Sequence, residues 1–168
     1  MIKESGDRRQ ETGVKERRSK ESRSKGVRRV GVKEMVHKVY LGLGSNQGDR
    51  AAKLARAIEL IGERVGPVIR QSSVIETEPW GFTSGNKFLN CAIYCETTLL
   101  PRQVLQVTQQ IERELGRHYK GKGYRDRPID IDILLFDELN IDTPNLQIPH
   151  PLMYERDFVM IPLNEIKQ

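Results

Sequence analysis

Cysteine is scarce in this chain: two residues in 168, Cys91 and Cys95. They fall in an apparent strand, where four residues span roughly 13 Å, too far for a disulfide. Both read as free core thiols, which suits a reducing compartment and a cytoplasmic protein. No run of about 20 apolar residues occurs, so no membrane span is expected. The N-terminus is basic but lacks the apolar stretch of a secretory signal. Residues 1–36 contain no aromatic residue and few large apolar ones. Such a segment cannot bury enough surface to offset the entropy of ordering it. The expected organisation is a basic, disordered or loosely helical extension over residues 1–37, followed by one domain over 38–168.

Positive charge is unevenly placed. Residues 1–38 hold 13 Lys and Arg against 6 Asp and Glu, and the remainder holds 15 against 17. The basic character belongs to the extension, and a near-neutral body argues against nucleic-acid binding there.

What is present is a pattern of strands and helices. Residues 39–43 read as a strand and 44–49 as a turn. A helix follows to about residue 65, with Leu54, Ile58, Ile61 and Val65 on one face and Gly66-Pro67 as its stop. Residues 68–78 and 88–98 read as two further strands around the loop Pro79-Trp80-Gly81-Phe82-Thr83-Ser84-Gly85-Asn86. Pro101 opens a second helix, striped by Val104, Thr108, Ile111 and Leu115 and closed by Gly116. Residues 128–135 form a fourth strand, and 141–163 read as short strand-like pieces and proline-rich turns. The order strand, helix, strand, strand, helix, strand predicts an α+β, ferredoxin-like split βαβ sandwich. Its antiparallel sheet carries helices on one face and leaves the other for a site.

The most informative stretch is Arg127-Pro128-Ile129-Asp130-Ile131-Asp132-Ile133-Leu134-Leu135. In a strand, Ile129, Ile131 and Ile133 point one way and Asp130 and Asp132 the other. Those carboxylates lie roughly 6–7 Å apart and are costly to bury unless something positive compensates. A divalent cation that prefers hard oxygen is the natural partner; the plain alternative is an edge strand with two solvated aspartates. Ahead of them, Arg117, His118, Lys120, Lys122, Arg125 and Arg127 supply the cations that a polyphosphate needs beside a metal. Gln109 and Glu112, one turn apart on the second helix, can face the same cleft. Trp80, Phe82, Phe88 and Tyr124 can build a stacking slot for a flat heterocycle, with Asn90 offering a paired donor and acceptor. Gly42-Leu43-Gly44-Ser45-Asn46-Gln47-Gly48 invites a phosphate-loop reading. Its spacing is one residue off the dinucleotide fingerprint and no G-K-[ST] follows, so a tight turn with a Ser or Asn cap is preferred.

Taken together, these segments resemble the 6-hydroxymethyl-7,8-dihydropterin pyrophosphokinase family of folate synthesis. The resemblance runs from about residue 39 to 168. It rests on Leu43-Gly44-Ser45-Asn46, Thr77-Glu78-Pro79-Trp80-Gly81, Phe88-Leu89-Asn90-Cys91-Ala92, Ile111-Glu112 with Leu115-Gly116-Arg117, the aspartate strand, Ile148-Pro149-His150-Pro151 and Arg156-Asp157-Phe158-Val159. It implies transfer of pyrophosphate from ATP to the pterin hydroxymethyl group, with release of AMP. It also implies two Mg2+ ions on Asp130 and Asp132, and catalytic, phosphate-facing roles for Arg117 and Arg127. Gln109, Glu112, Tyr124, Ile133, His150 and Arg156 match positions near ATP. The pterin is expected between Phe88 and Phe158, its polar edge toward Asn90, Thr77 and Trp80. A monomer is expected.

The chain departs from the family pattern at Tyr124-Arg125-Asp126-Arg127, where many relatives have Trp-Gly-Pro-Arg or a similar small-residue version. The basic extension has no counterpart in that pattern. A second hypothesis, a ferredoxin-like nucleic-acid-binding module with a basic arm, is opposed by the aspartate pair, which would repel phosphate. The sheet also lacks the basic, aromatic strand such modules use.

Overall fold

The first strand is longer than its sequence pattern suggests. In the computed structural model, which describes residue 31, residues 33–118 and residues 123–168, β1 spans His37–Ser45 and carries Gly42 and Gly44 within it. The expected extension falls mostly on residues outside the described ones, as do Lys120 and Lys122. Lys33–Gln168 forms a unit of its own. Its elements are β1, α1 (Arg50–Arg64), β2 (Val68–Gln71), β3 (Ile75–Thr77), β4 (Phe88–Thr97), α2 (Pro101–Glu114), β5 (Asp130–Phe136), β6 (Ile141–Thr143), β7 (Leu146–Ile148) and α3 (Asp157–Ile166).

The main sheet is antiparallel in the order β2-β4-β1-β5, with β3 paired to the other end of β4. This is the ferredoxin-like order, in which each of the first two helices joins strands that a third strand separates. Residues 68–78 are two strands rather than one. The Ser72 hydroxyl accepts a hydrogen bond from the Ala92 amide at 2.8 Å, so a side chain takes a place in the ladder between β2 and β3.

Alternation along the strands makes two unlike faces. Val39, Leu41, Leu43, Cys91, Ile93, Cys95, Ile129, Ile131 and Ile133 are buried in one cluster with Leu54, Ala57 and Ile61 of α1 and Val104 and Ile111 of α2. Asp49, not Ser45 or Asn46, caps α1, its carboxylate accepting from the Ala52 amide at 3.1 Å. Pro101 occupies the first turn of α2, where the Gln103 side chain accepts from the Leu100 amide at 2.8 Å. Leu134 continues the period-two row of Asp130 and Asp132 on the second face, and a bulge in β5 opposite Tyr40 and Leu41 then resets the alternation, so Phe136 falls in the helix-side core.

That second face is not wholly open. The stretch read as turns and short strands does contain the β6–β7 hairpin, but from Asp157 it is helical. Leu163 of α3 packs with Leu134 and Met153, and Ile166 with Ala92 and Tyr94. The helix covers one end of the face and leaves the end nearer Asp130 uncovered.

Candidate active site

The uncovered end is a pocket built across four strands. Register places Gly44 between Asn90 of β4 and Asp130 of β5, and Gly42 beside Asp132. Asn90 and Asp130 are therefore two strand spacings apart, about 10 Å, with no side chain between them. A Cβ on Gly44 would stand 2.6 Å from Asn90 Oδ1, so the amide can lie over β1 only because this residue is glycine. Asn90 Nδ2 donates to Thr77 Oγ1 at 2.7 Å, which fixes the amide's orientation.

Aromatic side chains wall the pocket. Trp80 and Tyr124 meet edge-on with ring centroids 5.3 Å apart, and Phe82 and Phe88 at 6.2 Å. Gly81, at φ +79°, sits so close to the Tyr124 ring that a Cβ would come within 2.8 Å of it. Phe158 and Val159 from the start of α3 complete the lining. Arg156 lies over Trp80 at 4.4 Å and donates to the Tyr124 hydroxyl at 2.9 Å. It is 8% exposed, and its buried Nε has no hydrogen-bond partner among the described residues.

At the β5 end, charge is concentrated. Arg117 pairs with Glu112 at 2.5 Å and also with Asp130, and Arg127 pairs with Asp130 at 2.9 Å. Burial alone would lower the Arg117 pKa, but the Asp130 and Glu112 carboxylates outweigh it and raise the guanidinium above its ordinary value. Asp130 is thus compensated by two arginines.

Of the residues singled out from sequence, Thr77, Trp80, Phe88, Asn90, Tyr124, Arg127, Asp130, Asp132, Arg156 and Phe158 all line this one pocket. Arg117 reaches it through Asp130. Glu112 is buried behind Arg117, and Ile133 lies in the core on the helix side. Gln109 and His150 are half-buried and outside the lining.

The same chain matches the family model of 7,8-dihydro-6-hydroxymethylpterin-pyrophosphokinase over residues 40–168. It is 50% identical over 131 residues to the 2-amino-4-hydroxy-6-hydroxymethyldihydropteridine pyrophosphokinase of Porphyromonas gingivalis, covering 76% of this chain and 89% of that protein. The protein of the same name from Bacillus subtilis is 46% identical over 130 residues, 77% of each chain. The chain belongs to the dihydrohydroxymethylpterin pyrophosphokinase family. The family's reaction transfers pyrophosphate from ATP to 6-hydroxymethyl-7,8-dihydropterin in folate synthesis. Among solved structures, the HPPK-DHPS of Plasmodium falciparum with pterin and p-hydroxybenzoate shares the fold, with a TM-score of 0.62 at 17% identity. That likeness covers 81% of this chain and 40% of that longer one.

The carboxylates suit the divalent cation that a pyrophosphokinase needs. Asp130 and Asp132 both line the pocket, and no cluster of three or more His, Cys, Asp or Glu exists among the described residues. Two hard oxygen donors leave most of a coordination shell to phosphate oxygens and water, the mode in which Mg2+ binds with nucleotides. Sequence reasoning missed Gly42 and Gly44 as the floor, and Glu78, Leu134 and Val159 in the lining. Glycines two apart in a strand that faces an Asp pair are the signal that would have found the floor. No helix among the described residues is long and apolar enough to cross a membrane.

Proposed function

We propose that pterin and ATP meet in this pocket, the pterin at the Asn90 end and the ATP phosphates at the Asp130 end. The carrying observation is the row Asn90–Gly44–Asp130, which sets a reader of a polar ring edge and a site of phosphate chemistry about two strand spacings apart. Asn90, oriented by Thr77, takes the pterin's polar edge, and Trp80 lies beside it. Phe88 and Phe158 stack on the ring faces and keep water from the reacting group.

The bond that forms joins the hydroxymethyl oxygen to the β-phosphorus of ATP. The bond that breaks joins that phosphorus to the oxygen bridging to the α-phosphate, and AMP leaves with that oxygen. Asp130 and Asp132 would hold the family's two Mg2+ ions, which when bound neutralise phosphate charge. Arg117 and Arg127 stabilise the charge on the transferring group, and Glu112 acts by holding Arg117. Transfer of this kind needs positioning and charge more than covalent help, so the lack of a nucleophile motif is no obstacle. Tyr124 and Arg156 contact ATP directly, the unpaired Arg156 Nε being a donor in reserve. Gln109, Ile133 and His150 support the ATP end from outside the lining. We further propose that residues 38–168 suffice for activity without residues 1–37, and that the protein works as a cytoplasmic monomer. Two buried free thiols fit a reducing compartment.

Steady-state kinetics of AMP release test the assignment. Asn90→Ala raises KM for the pterin about tenfold or more, the scale of leaving a buried polar group unpaired, with little change for ATP. Arg127→Ala lowers kcat about a hundredfold. Equal losses for both substrates in Asn90→Ala would make Asn90 a structural residue.

A further inference from the structure

We propose that Asp126 is a positioning residue that holds Arg127 at the reacting phosphates by tying its segment to β1 and to the loop carrying Trp80. The proposal rests on the assignment of Arg127 to the phosphates. Asp126 does not line the pocket; its work is done on the residues that do.

Both carboxylate oxygens are used. Oδ1 accepts from Asn46 Nδ2 at 2.7 Å and Oδ2 from Asn86 Nδ2 at 3.1 Å. Asn46, 2% exposed at the end of β1, also grips the neighbouring peptide. Its Oδ1 accepts from the Arg127 backbone amide at 2.7 Å, and its backbone N–H donates to the Arg127 carbonyl at 3.1 Å. The remaining contact of Asn46 is a 3.2 Å bond from Nδ2 to the Asn86 carbonyl. Asn86 is steadied in turn by Ser84, whose hydroxyl accepts from the Asn86 amide at 3.1 Å. Three segments far apart in sequence are thus joined through one carboxylate and one buried asparagine.

Arg127 then reaches Asp130 at 2.9 Å from a backbone held on both sides. A long side chain delivers a guanidinium accurately only if its root is fixed. The restraint comes from outside the segment, through hydrogen bonds to the Asp126 carboxylate and from the Arg127 amide to the Asn46 side chain. On the far side of the same segment, Tyr124 meets Trp80 edge-on, so the strap is secured at both ends.

The test is a double-mutant cycle on kcat, with thermal unfolding of each variant to confirm the fold. Asp126→Ala lowers kcat about tenfold to a hundredfold, the cost of misplacing a catalytic group by around an ångström. In an Arg127→Ala background the same change moves kcat by less than about twofold, because the group it positions is gone. A multiplicative effect in that background, or parental kcat in Asp126→Ala, overturns the proposal. Should Asp126→Ala fail to fold, Asn86→Ala removes one arm from an exposed side chain. It lowers kcat about threefold, and that loss too vanishes with Arg127→Ala; a loss that persists overturns the proposal. If Arg127→Ala itself keeps parental turnover, the assignment of Arg127 is what fails.

Discussion

One sheet presents two faces, and they are built on opposite principles. On the helix side, Leu41, Ile93, Ile131 and their neighbours are sealed by α1 and α2 into an aliphatic layer. On the other side, the same strands present Gly42, Gly44, Asn90, Asp130 and Asp132. Their far ends present Tyr40, Ala92 and Tyr94, which α3 helps to cover. Burial that holds the fold together is concentrated on one face. The other can leave bare backbone, paired charges and an unpaired guanidinium nitrogen in the pocket proposed for the substrates. Even the thiols follow this division: burial pushes Cys91 and Cys95 up to about 12, so neither is a thiolate at neutral pH.

The two faces are not independent if a change on the sealed face alters the site. Ile131→Ala removes a 2% exposed core side chain next to Asp130 and Asp132 in sequence. It should cost about 2–5 kcal/mol in denaturant unfolding while leaving KM for both substrates nearly unchanged in the folded fraction. On the site face, Asp130→Ala removes the shared partner of Arg117 and Arg127. Glu112 remains and the pairs are partly solvated, so the loss is about 1–3 kcal/mol, below the range for a fully buried pair. A rise in stability would mean that relief of repulsion between Asp130 and Asp132 outweighs the arginine contacts. Gly44→Ala drives a Cβ into Asn90 Oδ1, so pterin affinity should fall about tenfold, at a stability cost of about 1–3 kcal/mol. Equal binding by the two proteins in a fluorescence titration would show that Asn90 has room to move.

The smallest effect is on pH dependence. Hydrogen bonds from Ser84, then from Asn46 and Asn86, hold the Asp126 carboxyl below its ordinary 3.8. A depressed folded pKa contributes stability above the unfolded value and loses it as pH falls through the folded one. The melting temperature should therefore drop on acidification below about pH 4, and drop less steeply in Asp126→Asn. Identical profiles would remove Asp126 from the acid response.

How far the molecule was legible depended on whether the signal was local. Period two along residues 129–133 placed Asp130 and Asp132 on one face, because alternation is a property of the strand itself. The α2 stripe and its opening proline were legible for the same reason. Gly44 read as the start of a turn because glycine weakens strands, whereas β1 runs on through it to Ser45 in register with Asn90 and Asp130. The helix α3 was hidden by Pro162 within it and by a run of apolar residues with no polar stripe. That run makes sense only against the second face, where Leu163 and Ile166 are buried. The clamp on Asp126 was out of reach, since its partners lie 80 and 40 residues away.

Asp132 tests the assignment of this face most directly, because it lines the pocket beside Gly42 on the strand that carries Asp130. The measurement is AMP release from ATP, Mg2+ and 6-hydroxymethyl-7,8-dihydropterin by the parent and by Asp132→Ala, with the melting temperature of each protein without ligands. Turnover in Asp132→Ala should be lower by about a hundredfold or more, since charge stabilisation at the transferring phosphorus is the main catalytic contribution. The ligand-free melting temperature should stay within a few degrees of the parent, and the stabilisation conferred by Mg2+ and ATP should shrink. Parental turnover in Asp132→Ala would contradict the assignment of this face to phosphate transfer.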